Sequence, residues 1–85
     1  MANNKMKLDP GIDWALDIIW VNNDFSKTSE VLNYLQQEIA KNNADAYYVL
    51  SRCYCGPQFI DVRFGFEFNI ELAYQYLAKS ILLGL

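Results

Sequence analysis

The sequence predicts an all-α domain built from two stacked helix-turn-helix repeats (a short α/α solenoid), with a strand-like aromatic insertion between the last two helices. Three observations support this prediction. Apolar residues recur at helical spacing in four segments, capping residues flank most of these segments, and two segments share one residue pattern. The chain has 85 residues, 53% of them hydrophobic, which is enough for one core. We expect residues 1–8 to form a disordered tail and residues 9–85 to form a single domain.

The first helix is predicted to begin at Asp9 and Pro10. Aspartate is a favourable N-cap, and proline fits the first helical position, where no N–H donor is needed. The apolar residues that follow recur at helical spacing: Ile12, Ala15, Leu16, Ile19 and Trp20. The polar run at residues 22–24 is predicted to end this helix.

The second helix is predicted to begin near Ser26 or Thr28 and to end at residues 41–43. Its predicted buried face consists of Val31, Leu32, Leu35 and Ile39. The third helix begins after Asn43, a predicted N-cap, and Gly56 and Pro57 stop it, because proline cannot continue a helix. Its predicted buried residues are Ala46, Val49, Leu50, Cys53 and Tyr54. Short connections predict that neighbouring helices pack antiparallel.

The fourth helix is predicted to follow Asn69, to run to Leu83 and to end at Gly84. Only a narrow line of it is polar: Glu71, Gln75 and Lys79. The last helix of a solenoid normally has a polar outer face. An almost wholly apolar last helix therefore indicates either a fragment of a longer array or an oligomer or partner interface, for which Leu82 and Leu83 are candidates.

Residues 60–68 alternate strictly between apolar and polar, which is typical of a strand. No second segment of comparable quality is present, so the predicted strand has no obvious partner within the chain. It would fold back as a hairpin, lie on the helices or pair with another molecule. Its bulky residues, together with a neighbouring phenylalanine, form a candidate contact surface: Phe59, Ile60, Phe64, Phe66 and Phe68.

The second and fourth helices share one pattern, because residues 31–42 and 73–84 place tyrosine-leucine pairs at the same spacing. The first and third helices share a weaker one. The chain is therefore interpreted as two repeats, at about residues 12–43 and about residues 44–85, which bury their apolar faces by stacking on each other.

The second repeat resembles the Sel-one-like repeat, one of the tetratricopeptide-like helical repeats. The pattern of that family's first helix is matched by Ala46, Leu50, Ser51 and Tyr54. The pattern of its second helix is matched by Ala73, Tyr76, Lys79 and Gly84. Ser80 and Ile81 depart from it, replacing two small alanines, and the loop from Pro57 to Phe68 is longer than the family's usual turn. The resemblance implies a solenoid that acts as an adaptor for protein assembly and is not generally catalytic.

Composition narrows the classes of function. The net charge is −3 and the seven basic residues are scattered, which argues against a nucleic-acid ligand. No apolar run approaches the ~20 residues that span a bilayer. No membrane contact is expected, and a cytoplasmic location is the default interpretation.

Catalytic and metal chemistry is not expected either. The chain has no histidine, the commonest general base near neutral pH. Cys53 and Cys55 are its only cysteines, and a zinc site needs four ligands, so we interpret them as reduced structural thiols. We predict that the chain is not an enzyme and that it holds no cofactor.

Two further groups are candidate contact residues. Tyr48 and Arg52 lie four residues apart on the third helix, away from its predicted buried face, and both residue types are favoured at interfaces. Asp9, Asp13 and Asp17 form an acidic stripe on the first helix. The stripe suits a basic partner, but we favour interpreting it as a solvated face with favourable charge near a helix N-terminus.

The predicted function is a non-catalytic protein–protein interaction or assembly domain. Its partner is another protein or another copy of the chain, for example in a homodimer. The alternative is a small acidic inhibitor, or a mobile-element accessory protein, that blocks a basic site on a host protein. Size and net charge are compatible with this alternative.

Overall fold

A computed structural model describes residues 10–84 of the protein. It contains four α-helices: α1 Pro10–Leu16, α2 Thr28–Ala40, α3 Ala44–Cys53 and α4 Ile70–Leu82. No strand is present in this part of the chain, so the predicted all-α fold is confirmed. The predicted tail at residues 1–8 lies outside the described residues, as do Asp9 and Leu85. None of the helices within 10–84 combines the length and apolarity needed to cross a membrane.

The first helical segment changes its winding part-way along. After α1, a π-helical turn extends over Asp17–Val21, and the N–H of Asn22 donates to the Asp17 carbonyl at 2.7 Å. Ile18 and Ile19, adjacent in the chain, are both buried in this wider turn. The predicted end of the segment at residues 22–24 is confirmed, but the π-helical turn was not foreseen.

Side-chain caps set the starts of the later helices. The Asp24 carboxylate accepts from the Ser26 N–H and begins a short 3-10 turn, Phe25–Lys27, which leads into α2. The Asn43 amide oxygen accepts from the N–H of Asp45, at 3.0 Å, and from that of Ala46 at the start of α3. Asn69 caps α4 in the same way, accepting from the Leu72 N–H at 3.1 Å. The predicted cap at Asn43 and the predicted start of the fourth helix after Asn69 are therefore confirmed.

The third helix is the central element of the fold, because it packs against α1, α2 and α4. The core combines residues from these helices with two from the loop before α4: Ile12, Ala15, Ile18, Ile19, Val31, Leu35, Ala46, Val49, Leu50, Cys53, Ile60 and Phe64. This arrangement is that of a helical-repeat-like fold. The division into two repeats, at 12–43 and 44–85, stays a prediction.

Small residues allow α3 and α4 to pack closely. Ser51, Ala73 and Ser80 are each at most 2% exposed. The two serine hydroxyls donate to carbonyls one turn back in their own helices, Ser51 to Tyr48 at 2.6 Å and Ser80 to Leu77 at 2.7 Å. Because these hydroxyls are already satisfied, burying them between helices leaves no unpaired polar atom.

Gly11 in α1 lies close to a side chain of α2. A β-carbon added at Gly11 would overlap the phenol ring of Tyr34, so glycine at this position makes room for the tyrosine. The Tyr34 ring also meets Trp14 edge to face, with ring centres 5.7 Å apart. Gly11 therefore allows an aromatic contact between the two helices.

The strand predicted for residues 60–68 is not formed, and this prediction was wrong. The segment instead contains a 3-10 turn at Val62–Phe64. The Asp61 carboxylate accepts from the Arg63 N–H and forms two hydrogen bonds with its guanidinium, at 3.0 and 2.8 Å. Gly65 then adopts a left-handed conformation, with φ of 80°. This local pairing and the glycine turn the backbone away from the extended conformation that a strand requires.

We expect Asn43→Ala to lower the free energy of unfolding by about 1–2 kcal/mol, because it removes the cap of α3. The substitution also removes the Asn43 amide donor that binds the Glu38 carboxylate at 2.9 Å. Urea denaturation followed by circular dichroism measures the change. Asn33→Ala, at an exposed position within α2, is the matched control and should be neutral or slightly stabilising. Equal losses in both variants would contradict the capping role.

Hydrogen bonds from Asn43 and then from Lys41 lower the pKa of Glu38 below its ordinary value of 4.5. A carboxylate whose pKa is lowered by folding stabilises the folded state above its unfolded pKa, and this contribution is lost as pH falls. We therefore expect Glu38→Gln to be less stable than wild type at neutral pH, with the difference shrinking below about pH 4.5. Unfolding curves at several pH values measure this. A difference that stays constant down to pH 3 would contradict it.

Candidate functional site

A groove of about 270 Å³ lies between α3 and α4. We call it the α3–α4 groove. One side is lined by α3 and the residues just after it: Tyr48, Ser51, Arg52 and Cys55. The other side is lined by the α4 residues Ala73, Tyr74 and Leu77. Spacings of three and four residues place each set on one face of its helix, so the fold itself aligns the two sides.

Among the described residues, Arg52 is the only charged one that lines the groove, and aromatic rings hold it in place. Its Nε donates to the Tyr48 hydroxyl at 3.1 Å. Its guanidinium carbon lies 5.4 Å from the ring centre of Tyr48 and 5.1 Å from that of Phe59. The Phe59 carbonyl in turn accepts from the Trp20 indole N–H, which ties this part of the loop to the first helical segment. The guanidinium is therefore positioned by cation–π contacts with two rings.

Arg52 has no acidic partner within residues 10–84. The ion pairs found there join Lys41 to Glu38 and Arg63 to Asp61. A guanidinium that uses only its Nε still has four N–H donors on its two terminal nitrogens. These donors suit the two oxygens of a carboxylate. The groove therefore combines apolar and aromatic sides with one site for an anion.

The apolar surface continues from the groove along α4. Ile70, Tyr74 and Ile81 are 45%, 66% and 62% exposed, and they lie at i, i+4 and i+11 on one helical face. Leu77, which lines the groove, falls on the same face. We call the exposed set, Ile70, Tyr74 and Ile81, the α4 face. Exposed apolar residues aligned in this way are typical of a contact surface rather than of scattered surface residues.

The other predicted contact residues at the end of α4 differ in their exposure. Leu82 is 82% exposed, whereas Leu83 is half-buried. Both follow Ile81 directly in the chain, at the end of the α4 face. Leu82 is therefore available for contact, and Leu83 only in part.

The aromatic segment that was predicted as a contact surface is divided by the structure. Ile60 and Phe64 are buried in the core, and Phe66 is half-buried against Tyr54 with ring centres 5.4 Å apart. Of the five predicted contact residues, only Phe59 and Phe68 are exposed, at 39% and 65%. The segment therefore contributes mainly to the core, because its residues dock on the helices rather than forming a free strand edge.

The acidic stripe is exposed where the structure describes it. Asp13 and Asp17 are exposed and form no ion pair with a basic residue of the described chain. Asp9 lies outside the described residues. Trp14, between the two aspartates in the chain, is 36% exposed. These three residues, Asp13, Trp14 and Asp17, form what we call the α1 acidic face.

Tyr48 and Arg52 were predicted as contact residues, whereas the other groove residues Tyr74, Leu77 and Cys55 were not. The spacing of Ile70 and Tyr74 is the signal that was present for the α4 side. That spacing shows which residues share a face. It does not show that this face of α4 lies next to Tyr48 and Arg52 of α3.

The two thiols lie in different surroundings. Cys53 is 1% exposed, and burial, with a smaller contribution from neighbouring Cys55, raises its pKa to about 12. Cys55 is half-buried and lines the groove. In the described part of the chain, no three His, Cys, Asp or Glu side chains come together as a metal site would require.

Comparisons with protein-family models, curated proteins and solved structures find no match to this chain. The resemblance to Sel-one-like repeats therefore depends on the residues quoted from the sequence alone.

We expect one of the two thiols to react with Ellman's reagent in the folded protein. Cys55 should react readily, and Cys53 should react only on unfolding, because it is buried and its raised pKa keeps it protonated at neutral pH. Stopped-flow absorbance measures the two rates. Cys55→Ser should remove the fast phase, and Cys53→Ser should leave it unchanged. A fast phase that persists in Cys55→Ser would contradict the assignment.

Proposed function

We propose that this chain is a non-catalytic protein–protein interaction or assembly domain of the helical-repeat type. The observation that carries the proposal is the exposed apolar α4 face, continuous with the α3–α4 groove. Apolar residues scattered singly over a protein surface are common, whereas a row of them on one helical face is typical of a contact surface. Tyr74 and Ile81 lie on one face of α4 and are each more than 60% exposed. A surface of this kind is typical of one that another protein covers.

The resemblance to Sel-one-like repeats supports the same proposal. Ala46, Leu50, Ser51 and Ala73, which follow that family's pattern, are each at most 2% exposed and lie in the helix packing. Tyr76 has its ring 5.8 Å from that of Tyr47 and 5.9 Å from that of Tyr54. Residues that match the repeat pattern thus act as packing residues, as a repeat domain requires.

The chemistry of the groove supports a binding role rather than a catalytic one. Its charged group is an arginine, a residue type suited to binding carboxylates and other anions. The buried Cys53 thiol, with its pKa raised to about 12, is a poor nucleophile. We propose a protein as the partner, rather than a nucleic acid or a membrane, and a cytoplasmic location, which suits two free thiols.

A second candidate function is the small acidic inhibitor, and the α1 acidic face is the observation that favours it. Asp13 and Asp17 present two exposed carboxylates without basic partners in the described residues. Such a surface attracts a basic site on another protein. In that case the partner would cover α1 and leave α4 free.

Site-specific photocrosslinking tests the proposal and separates the two candidates. We expect benzoylphenylalanine at position 74 to crosslink the purified chain to a second copy, or to a partner protein in extracts. At position 36, an exposed glutamine on α2, it should not. An inhibitor would crosslink from position 21, where Val21 is 68% exposed, and not from position 74. Absence of crosslinks at position 74, or equal crosslinking at 74 and 36, would contradict the assembly proposal.

A further inference from the structure

We infer that the α3–α4 groove binds the α1 acidic face of a second copy of this chain, so that copies associate head to tail. The inference depends on the proposed function and names the partner of the same site. It is drawn from the charges of the two surfaces, from the shape of the groove and from the position of both surfaces in the fold.

The charges of the two surfaces are complementary. Within the described range 10–84, one positive group, Arg52, lines the groove and no acidic residue does. The α1 acidic face contains Asp13 and Asp17, whose carboxylates are exposed and unpaired within residues 10–84. Two carboxylates four residues apart on a helical segment lie on one side of it, so either is available to the terminal nitrogens of Arg52. Contact between copies would pair charged groups that have no ion-pair partner among residues 10–84 of one copy.

The shape of the groove suits a helix. Within one copy, α3 already packs against two preceding helices, α1 and α2. The α3–α4 groove lies between two neighbouring helices, and its lining includes Tyr74 and Leu77. Trp14, half-exposed between the two aspartates, supplies a large aromatic side chain for these apolar sides and for a cation–π contact with Arg52. A helix carrying Asp13, Trp14 and Asp17 therefore offers both kinds of contact that the groove can make.

A symmetric dimer through the groove is less favourable. A two-fold interface brings the same patch of each copy together. Two Arg52 guanidinium groups would then share one interface, while Asp13 and Asp17 would remain unpaired. The head-to-tail arrangement avoids this repulsion. The two surfaces lie on different helices, α1 and α4, and both are exposed in one copy, so one copy can use both at the same time.

A charge exchange tests the inference. We compare Arg52→Glu, the double variant Asp13→Lys/Asp17→Lys, and their equimolar mixture by light scattering over a range of concentrations at low salt. Wild type should self-associate, and each variant alone should associate about 10-fold more weakly or worse, because like charges then face each other. The mixture should recover association, because every junction between unlike copies again pairs opposite charges. Added salt should weaken association of wild type and of the mixture.

Two controls accompany the exchange. Lys79→Glu changes the net charge by the same amount as Arg52→Glu, but on the polar line of α4, and it should associate as wild type does. Arg52→Gln keeps much of the side-chain length without the charge, and it should weaken association even if Arg52→Glu disturbs the fold. Circular dichroism establishes folding of each variant. The rate at which Ellman's reagent labels Cys55 should fall on association, since Cys55 lines the groove.

The outcomes separate this inference from the proposed function. A wild-type chain that stays monomeric at all concentrations overturns head-to-tail association, and so does a mixture that fails to recover it. Crosslinking from position 74 would in either case leave the assembly proposal standing with a different partner or arrangement. If position 74 crosslinks to nothing, both the proposed function and this inference fail.

Discussion

The close packing of α3 against α4 is the constraint on which the rest of the structure depends. Three small buried residues, Ser51, Ala73 and Ser80, allow the two backbones to approach, and each serine hydroxyl is satisfied within its own helix. A larger residue at any of these positions would separate the helices, because close-packed interiors accommodate added volume poorly. The groove is the outer seam of this contact, so its width follows from the same small residues.

The loop between α3 and α4 has two structural roles that the alternation of apolar and polar residues in it did not predict. It completes the core with Ile60 and Phe64, where Phe64 meets Phe25 edge to face with ring centres 4.8 Å apart. It also positions Phe59 beside Arg52, because the Phe59 carbonyl binds the Trp20 indole. The N–H of Asn69 then donates to the Tyr54 carbonyl at 3.0 Å, which brings the end of the loop back to the end of α3. The loop thus links the first helical segment, the core and the groove.

The distribution of charge separates two surfaces of opposite sign in a chain with a net charge of −3. The basic groups that pair locally, Lys41 and Arg63, are matched to carboxylates two or three residues away in the chain. Arg52 and the aspartates of the α1 acidic face are not matched in this way. In these local pairs the cation is exposed, and each charge is already paired within one copy. The proposed head-to-tail association depends on these unmatched groups.

The features that could be predicted from the sequence are those set by interactions between residues close together in the chain. Caps at Asn43 and Asn69 satisfy free N–H groups a few residues away, and apolar spacing selects the buried face of each helix, so the four helices and most of their limits were predictable. Tertiary structure decided the rest. Alternation at residues 60–68 is typical of a strand, but a strand also needs a second strand to pair with its backbone. Here the Asp61–Arg63 pair and the left-handed Gly65 turn the backbone away from an extended conformation. The groove could not be predicted from the sequence for a related reason. Arg52 and Tyr74 lie on one surface only because α3 and α4, which are separated by a loop in the chain, pack closely side by side.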